Sequence, residues 1–255
     1  GDARAAAAAL IERLTGCSLA CIANQAERQA KIAAEKGAWE QELTEWTHER
    51  DPYSLEVAKG SKLMHPRQML RELEKAMPRH AMVSTDIGNI CSVSNSYLRF
   101  DEPRSMFAAM SFGNCGYAFP VACGAKIAAP DRPMIAYVGD GAWGISLNEL
   151  LTCAREKIGV TVVVFNNGQW GAEKKNHVDF YSRRFQAVDL VSPSWAGVAK
   201  AFGCEGVTVD RLSDVGPALQ ASVQAQSEGR TTILEMMVTR ELGDPFRRDA
   251  LSKPV

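Results

Sequence analysis

The chain is expected to fold as an α/β protein: a parallel sheet with helices on both faces, preceded by a helical segment. Three observations predict this. Short apolar runs at 81–85, 134–138, 160–165 and 231–238 alternate with helical segments along residues 65–240. Several of these runs are nearly continuously apolar, as a strand buried on both faces must be. Residues 1–60 carry no such alternation, being alanine-rich and then densely charged.

In chain order, 1–60 reads as helix: an amphipathic alanine-rich stretch ending near Gly16, then NQAERQAKIAAEKGAWEQELTEWTHER. Trp39 and Trp46 there read as packing anchors, the usual role of isolated aromatics on charged helices. From His65-Pro66 the spacing predicts a helix over 66–77, a strand over 81–85 and a helix from Gly88. The glycine-rich loop SFGNCGYAFP and a helix through Ala128 come next. The strand 134–138 then runs into Gly139-Asp140-Gly141, with a helix from near Gly144 to Glu156 and a strand over 160–165. A loop and helix after Asn167, a helix over 194–202, a strand over 206–209, a helix over 212–227 and a strand over 231–238 complete the pattern.

Composition narrows the function classes. With 255 residues, 46% hydrophobic and 23% charged, the chain can bury a core. A net charge of −1 offers no electrostatic reason to expect nucleic acid or an anionic membrane as partner. The seven cysteines are scattered and odd in number, which argues for a reducing compartment rather than a disulfide framework. Cys17 and Cys21 lack the second pair that would complete a metal site. Without a signal peptide or a long apolar run, a cytoplasmic location is the expectation. Neither GxxxxGK[ST] nor GxGxxG opening a helix is present, which disfavours a P-loop or dinucleotide site.

The most informative residues are Asp140 and Asn167, 167 − 140 = 27 residues apart and each at the end of an expected strand. That separation accommodates one helix and one strand, so the two loop tips meet at the carboxyl end of the sheet, where such sheets bind ligands. A carboxylate oxygen, an amide oxygen and a backbone carbonyl just beyond, at Gln169, suit Mg²⁺, a hard cation that shares its oxygen ligands with phosphates. Gly139 and Gly141 bring backbone N–H groups close to an anion. The plain alternative is a helix cap at Asp140 and a turn at Asn166-Asn167.

GDGAWG through VVVFNN resembles the thiamine diphosphate motif of the enzymes related to pyruvate decarboxylase and acetolactate synthase. The resemblance implies the thiamine diphosphate-binding fold over 61–240, with Asp140, Asn167 and Gln169 on Mg²⁺ and Gly141, Ala142 and Trp170 beside the cofactor. TDIGNI and SFGNCGYAFP resemble two further parts of that domain, which implies diphosphate contacts at Gly88, Asn89 and Ile90. Gly113, Asn114 and Cys115 would then lie in the loop that supports the cofactor rings, with Cys115 in place of the family's bulkier side chain. FGNCGYAFP, QWGAEKKN, DFYSRRF and LGDPFRRDALSKP together are similar to the sulfoacetaldehyde acetyltransferase branch. That similarity implies acyl transfer from sulfoacetaldehyde to inorganic phosphate, giving acetyl phosphate and sulfite. Lys174, Lys175 and Arg184, with Arg183, Arg247 and Arg248 in reserve, are candidates to bind these small anions. A solvated charged face is the plain reading of each. His177 is a candidate proton carrier in the same segment.

In this family an activating glutamate comes from a pyrimidine-binding domain of a partner chain, and the full-length enzymes are expected to be homo-oligomers. No counterpart precedes residue 61 here. The segment 1–60 is therefore expected to be the helical remnant of a middle domain and linker, and 241–255 a C-terminal tail. The chain alone is expected to bind the cofactor weakly and to turn over nothing, as a fragment or as one subunit of a split enzyme. An acetolactate synthase-like or sulfopyruvate decarboxylase-like activity on a 2-oxo acid is the neighbouring alternative, and a non-catalytic assembly module the alternative of a different class.

Overall fold

The computed structural model describes residues 63–240 except 96, together with 33, 34 and 37, and of residues 90–92 it describes the backbone alone. Contacts divide the chain into two units, 1–51 and 52–255. In the first, the described residues 33, 34 and 37 are helical. The rest of the helix expected over 1–60, with Cys17, Cys21, Trp39 and Trp46, lies outside the described residues, as does the tail with Arg247 and Arg248.

Six strands form one sheet: β1 (Met82–Thr85), β2 (Met106–Ala108), β3 (Met134–Gly139), β4 (Thr161–Asn166), β5 (Glu205–Val209) and β6 (Thr232–Met237). Their order is β2-β1-β3-β4-β6-β5, and every pairing is parallel. Among the described residues the helices are α1 (Pro66–Ala76), α2 (Asn89–Ser94), α3 (Ala118–Ala128), α4 (Asp140–Ser146), α5 (Leu150–Glu156), α6 (Gly171–Phe180), α7 (Trp195–Ala201) and α8 (Leu212–Gln226).

The period-two pleat explains why the strands read as continuous apolar runs. On one face Met134, Ala136, Val138, Val162 and Val164 meet Phe119 and Ala122 of α3, Trp143 of α4, Leu150 of α5 and Trp195 and Ala199 of α7. On the other, Ile135, Tyr137, Val163, Phe165, Leu234 and Met236 meet Met69, Leu70 and Leu73 of α1 and Val215 and Leu219 of α8. Helix α1 opens on Pro66, where a missing N–H costs nothing, and His65 Nδ1 accepts from the Arg67 N–H at 3.3 Å.

Glu235 in β6 is a charged side chain inside this largely apolar interior, at 2% exposure. Its carboxylate accepts from Asn166 Nδ2 (2.9 Å), the Trp195 and Ala196 N–H groups (3.1 and 3.2 Å), Ser194 Oγ (3.3 Å) and Thr208 Oγ1 (3.1 Å). A buried carboxylate is tolerable only when satisfied in this way. Here it fixes the start of α7 and the side chain that ends β4.

Two expectations are corrected. The edge strand β2 falls in a stretch with no strand signal, because three residues pairing along one side of β1 need no apolar run. The helix placed from Gly144 begins at Asp140 and breaks at a 3-10 turn over Leu147–Glu149 before α5. Glycine disfavours a helix interior, but the fully buried Trp143 drives this turn into the core and outweighs that propensity. The remaining boundaries shift by one or two residues.

Candidate functional site

The sheet order sets β1, β3 and β4 side by side, with Thr85 opposite Tyr137 and Gly139 opposite Phe165. The loops leaving their carboxyl ends therefore converge. Together with Gly113 and Cys115 they enclose a cavity of about 150 Å³, lined by Gly88, Asn89, Asp140, Gly141, Ala142, Asn167, Gln169 and Trp170 among others. Asp140 and Asn167 thus share one cavity. A wider, open depression of about 670 Å³ lies near the opposite strand ends. The Lys126 ammonium on its wall is already given to the carbonyls of Pro130 (2.7 Å) and Arg132 (2.9 Å).

Asp140 is the first residue of α4 and is 2% exposed. Its Oδ2 accepts from the Gly168 N–H at 2.9 Å, which joins the first turn after β3 to the loop after β4. Burial pushes its carboxyl up to about 6, against the opposing pull of backbone N–H groups from Gly168 and its neighbours. Asn167 Oδ1 accepts from the Gln169 N–H at 3.1 Å, closing an Asx turn. Gly168 then adopts φ +64°, a left-handed conformation that glycine takes without strain.

The loop is pinned from outside. Val188 O accepts from the Trp170 N–H (2.8 Å) and Gly168 O from the Leu190 N–H (2.9 Å). Arg240 donates to the carbonyls of Asn167 (3.2 Å) and Gly168 (3.1 Å). Across the cavity the Trp170 indole lies so close to α4 that a Cβ on Gly141 would come within 2.8 Å of it. A Cβ on Gly171 would meet Asn89 Nδ2 at 3.0 Å and Asn167 Nδ2 at 3.8 Å, so glycine there lets the two amides approach.

Asp86, at the end of β1 and within the string TDIGNI, was given no role by the sequence. It is fully buried, and its Oδ1 accepts from the N–H groups of Tyr117 (2.7 Å) and Ala118 (3.1 Å), which fixes the loop carrying Gly113 and Cys115. Burial raises its carboxyl above the usual range. The Cys115 thiol is raised too, first by burial and then by the negative charges of Asp86 and Glu173, so it stays protonated near neutral pH. Ile87, Phe165, Ala172 and Glu173 are further lining residues that the sequence did not flag. Glu173 stood within the quoted QWGAEKKN string, and its three-residue distance from Trp170 was the available signal.

Buried polar atoms around the cavity have no hydrogen-bond partner: Asn89 Nδ2, both carboxamide atoms of Gln169, and Asp86 Oδ2. Such orphans cost about 1–3 kcal/mol each, and their concentration here marks a place shaped for a polar ligand. The oxygens of Asp140 and Asn167 with these amides suit a hard cation and the phosphate groups it carries. Among the described residues no three His, Cys, Asp or Glu side chains converge as a metal site, so a mixed carboxylate, amide and carbonyl set is the one on offer.

Several expected site residues stand elsewhere. Asn114 is half-buried but is not part of the cavity wall, and the Ile90 side chain lies outside the described residues. Lys174, Lys175 and Arg184 do not line the cavity. Lys174 pairs with Asp189 at 3.1 Å, Lys175 with Asp179 at 2.6 Å, and Arg184 Nε donates to Tyr181 O at 3.2 Å. His177 packs edge-on to Tyr181, with ring centroids 5.8 Å apart. No helix among the described residues is long and apolar enough to cross a membrane.

Comparison with known proteins shows the family to which the chain belongs. The chain is 65% identical to a sulfoacetaldehyde acetyltransferase of Castellaniella defragrans over 261 residues, covering all of this chain and 44% of that protein. It is 28% identical to an acetolactate synthase large subunit of Parasynechococcus marenigrum, covering 80% of this chain and 32% of that one. The chain thus spans less than half the length of the curated relatives it matches. In fold it is similar to the thiamine diphosphate-dependent 4-hydroxybenzoylformate decarboxylase of Rhodococcus jostii RHA1, with TM-score 0.65 and 22% identity over 74% of this chain and 35% of that one. Residues 86–236, which hold Asp86, Asp140, Asn167 and Gln169, match the family model of the thiamine pyrophosphate enzyme C-terminal TPP binding domain, and the chain belongs to that family.

Proposed function

We propose that this chain is the diphosphate-binding part of a thiamine diphosphate- and Mg²⁺-dependent acyltransferase that converts sulfoacetaldehyde and phosphate to acetyl phosphate and sulfite. The observation that carries the reading is the shared cavity of Asp140 and Asn167, on neighbouring strand ends, ringed by unpartnered amides. The substrate rests on the identity with relatives that bear this activity in their names. Asp140, Asn167 and the Gln169 carbonyl would hold Mg²⁺, while Asn89 and the Gln169 carboxamide would face the diphosphate. Bound there, thiamine diphosphate supplies carbanion and electron-sink chemistry.

The chain's own residues bind, orient and shield. Asp140 carries the charge that offsets the cation, and its burial makes cation and proton compete for one carboxyl. Trp170 against Gly141 closes the wall and excludes water. Cys115, a neutral half-buried thiol on the cavity wall, offers an uncharged surface where the cofactor rings would be supported. A cavity of about 150 Å³ is well below the roughly 300 Å³ from which ligand pockets begin, so it suits the metal and diphosphate but not the whole cofactor. The pyrimidine half would be held by a separate domain, which supports a partner chain in a homo-oligomeric assembly.

Calorimetry with thiamine diphosphate tests the binding part: heat that requires Mg²⁺ and vanishes in Asp140→Ala supports it, and equal heat without Mg²⁺ overturns it. Co-expression with a pyrimidine-domain protein tests the reaction. Phosphate-dependent sulfite release supports the acyltransferase, and carbon dioxide release from pyruvate would favour the 2-oxo acid chemistry suggested by the acetolactate synthase relative.

A further inference from the structure

Away from the cavity, the core between α3 and α5 holds two nucleophilic groups that the proposed chemistry does not use. Cys123 and Cys153 are free thiols at 8% and 1% exposure, and their Sγ atoms lie 3.3 Å apart. Both belong to the apolar cluster under the helices, and the partly exposed Cys204 packs against the same cluster, its thiol 3.6 Å from Leu150 O. Such a contact has two readings, a sulfur hydrogen bond in a passive core or a dithiol poised to oxidise. Two sulfurs at van der Waals contact need close by a little over 1 Å to reach the disulfide bond length of about 2.05 Å. Packing has therefore already brought the two sulfurs into direct contact, 3.3 Å apart.

We propose that Cys123 and Cys153 are a modification site: a dithiol that oxidises reversibly to a disulfide and ties α3 covalently to α5. With hydrogen peroxide as oxidant, one sulfur attacks peroxide to give a sulfenic acid, and the O–O bond breaks with release of water. The second sulfur then attacks the first, the S–S bond forms, the S–O bond breaks, and the departing hydroxide takes the second thiol's proton as water. Two thiols are oxidised and one peroxide is reduced to two waters. Across the 3.3 Å contact either thiol can donate to the other, so either sulfur can make the first attack.

Position gives the bond its effect. The ring closed between residues 123 and 153 contains β3 and Asp140, so oxidation restrains one wall of the cavity from behind without touching it. Closing a ring of this size also removes freedom from the unfolded chain.

The test treats the full chain with hydrogen peroxide and maps peptides under non-reducing conditions. The expected result is a Cys123–Cys153 peptide and loss of two of the seven thiols. The unfolding midpoint should rise by on the order of 10 °C, reversibly with dithiothreitol. Cys123→Ser and Cys153→Ser should each abolish the linkage and the shift, while Cys115→Ser should preserve both. The mapping on the unmodified chain decides the matter even where a serine variant fails to fold. Recovery of Cys123 and Cys153 as free thiols after oxidation overturns the proposal, as does either one linked to a different cysteine.

Discussion

Replacing Asp140 with asparagine tests whether this buried carboxylate is kept for a cation rather than for the fold. In the cation-free protein burial holds its carboxyl at about 6, against 3.8 for the ordinary group. The difference is about 2 units, and at 1.36 kcal/mol per unit the ionised side chain costs the folded state about 3 kcal/mol. Because the folded value is the higher one, the folded state binds more protons between pH 4 and 6. Stability from this group is therefore full below pH 4, falls as pH rises to 6, and stays low above it.

Asp140→Asn removes that slope. Asparagine keeps an oxygen for the Gly168 N–H but adds an amide N–H₂ without a partner, which takes back about 1–2 kcal/mol. The variant should then lie about 1–2 kcal/mol below the parent near pH 4, where the parent's carboxyl is neutral, and exceed it by about 1–2 kcal/mol at pH 8. Urea denaturation of the cation-free proteins at both pH values measures this. Adding Mg²⁺ and thiamine diphosphate at pH 8 should raise the parent's midpoint and leave the variant's unchanged. A variant less stable than the parent at pH 8 without cation would refute the reasoning, since Asp140 would then be a structural acceptor.

Three further outcomes are expected. Glu235→Leu leaves the Asn166 amide and the N–H groups of Trp195 and Ala196 unpaired, and should cost about 3–5 kcal/mol in denaturant unfolding; a loss below 1 kcal/mol would show that water replaces the carboxylate. Gly141→Ala sets a Cβ within 2.8 Å of Trp170 and should cost about 1–3 kcal/mol, with a weaker magnesium-dependent heat; unchanged heat would place the cofactor elsewhere. Joint replacement of Lys174, Lys175 and Arg184 by glutamine should leave that heat within about twofold, because their charges already meet Asp189, Asp179 and a carbonyl. A tenfold loss of affinity would show that they reach the diphosphate.

Asp140 and Asn167 were legible because each stands directly after an apolar strand, and a parallel sheet brings adjacent strand ends together whatever the rest of the chain does. Gly88, Asn89, Cys115, Gln169 and Trp170 followed from loop strings tied to those same ends. The roles of Asp86 and Glu235 were not legible. A lone acid in a sheet sequence says nothing of its role until the N–H groups it satisfies, 31 and 40 residues away, are folded against it. Lys174 is the converse: its charge was visible, but Asp189, which pairs with it, comes from a segment 15 residues on that folds back along the Gln169 loop.

The order of residues alone determined the alternation of strand and helix, the burial of both sheet faces and the positions of the oxygen donors, since each depends on local period and on what stands at a strand's end. Tertiary structure decided where the α4 helix starts, which cations are already paired, which buried amides lack partners, and that Cys123 touches Cys153. These depend on distances between segments remote in the chain, and packing sets them only when the two faces of the sheet are covered.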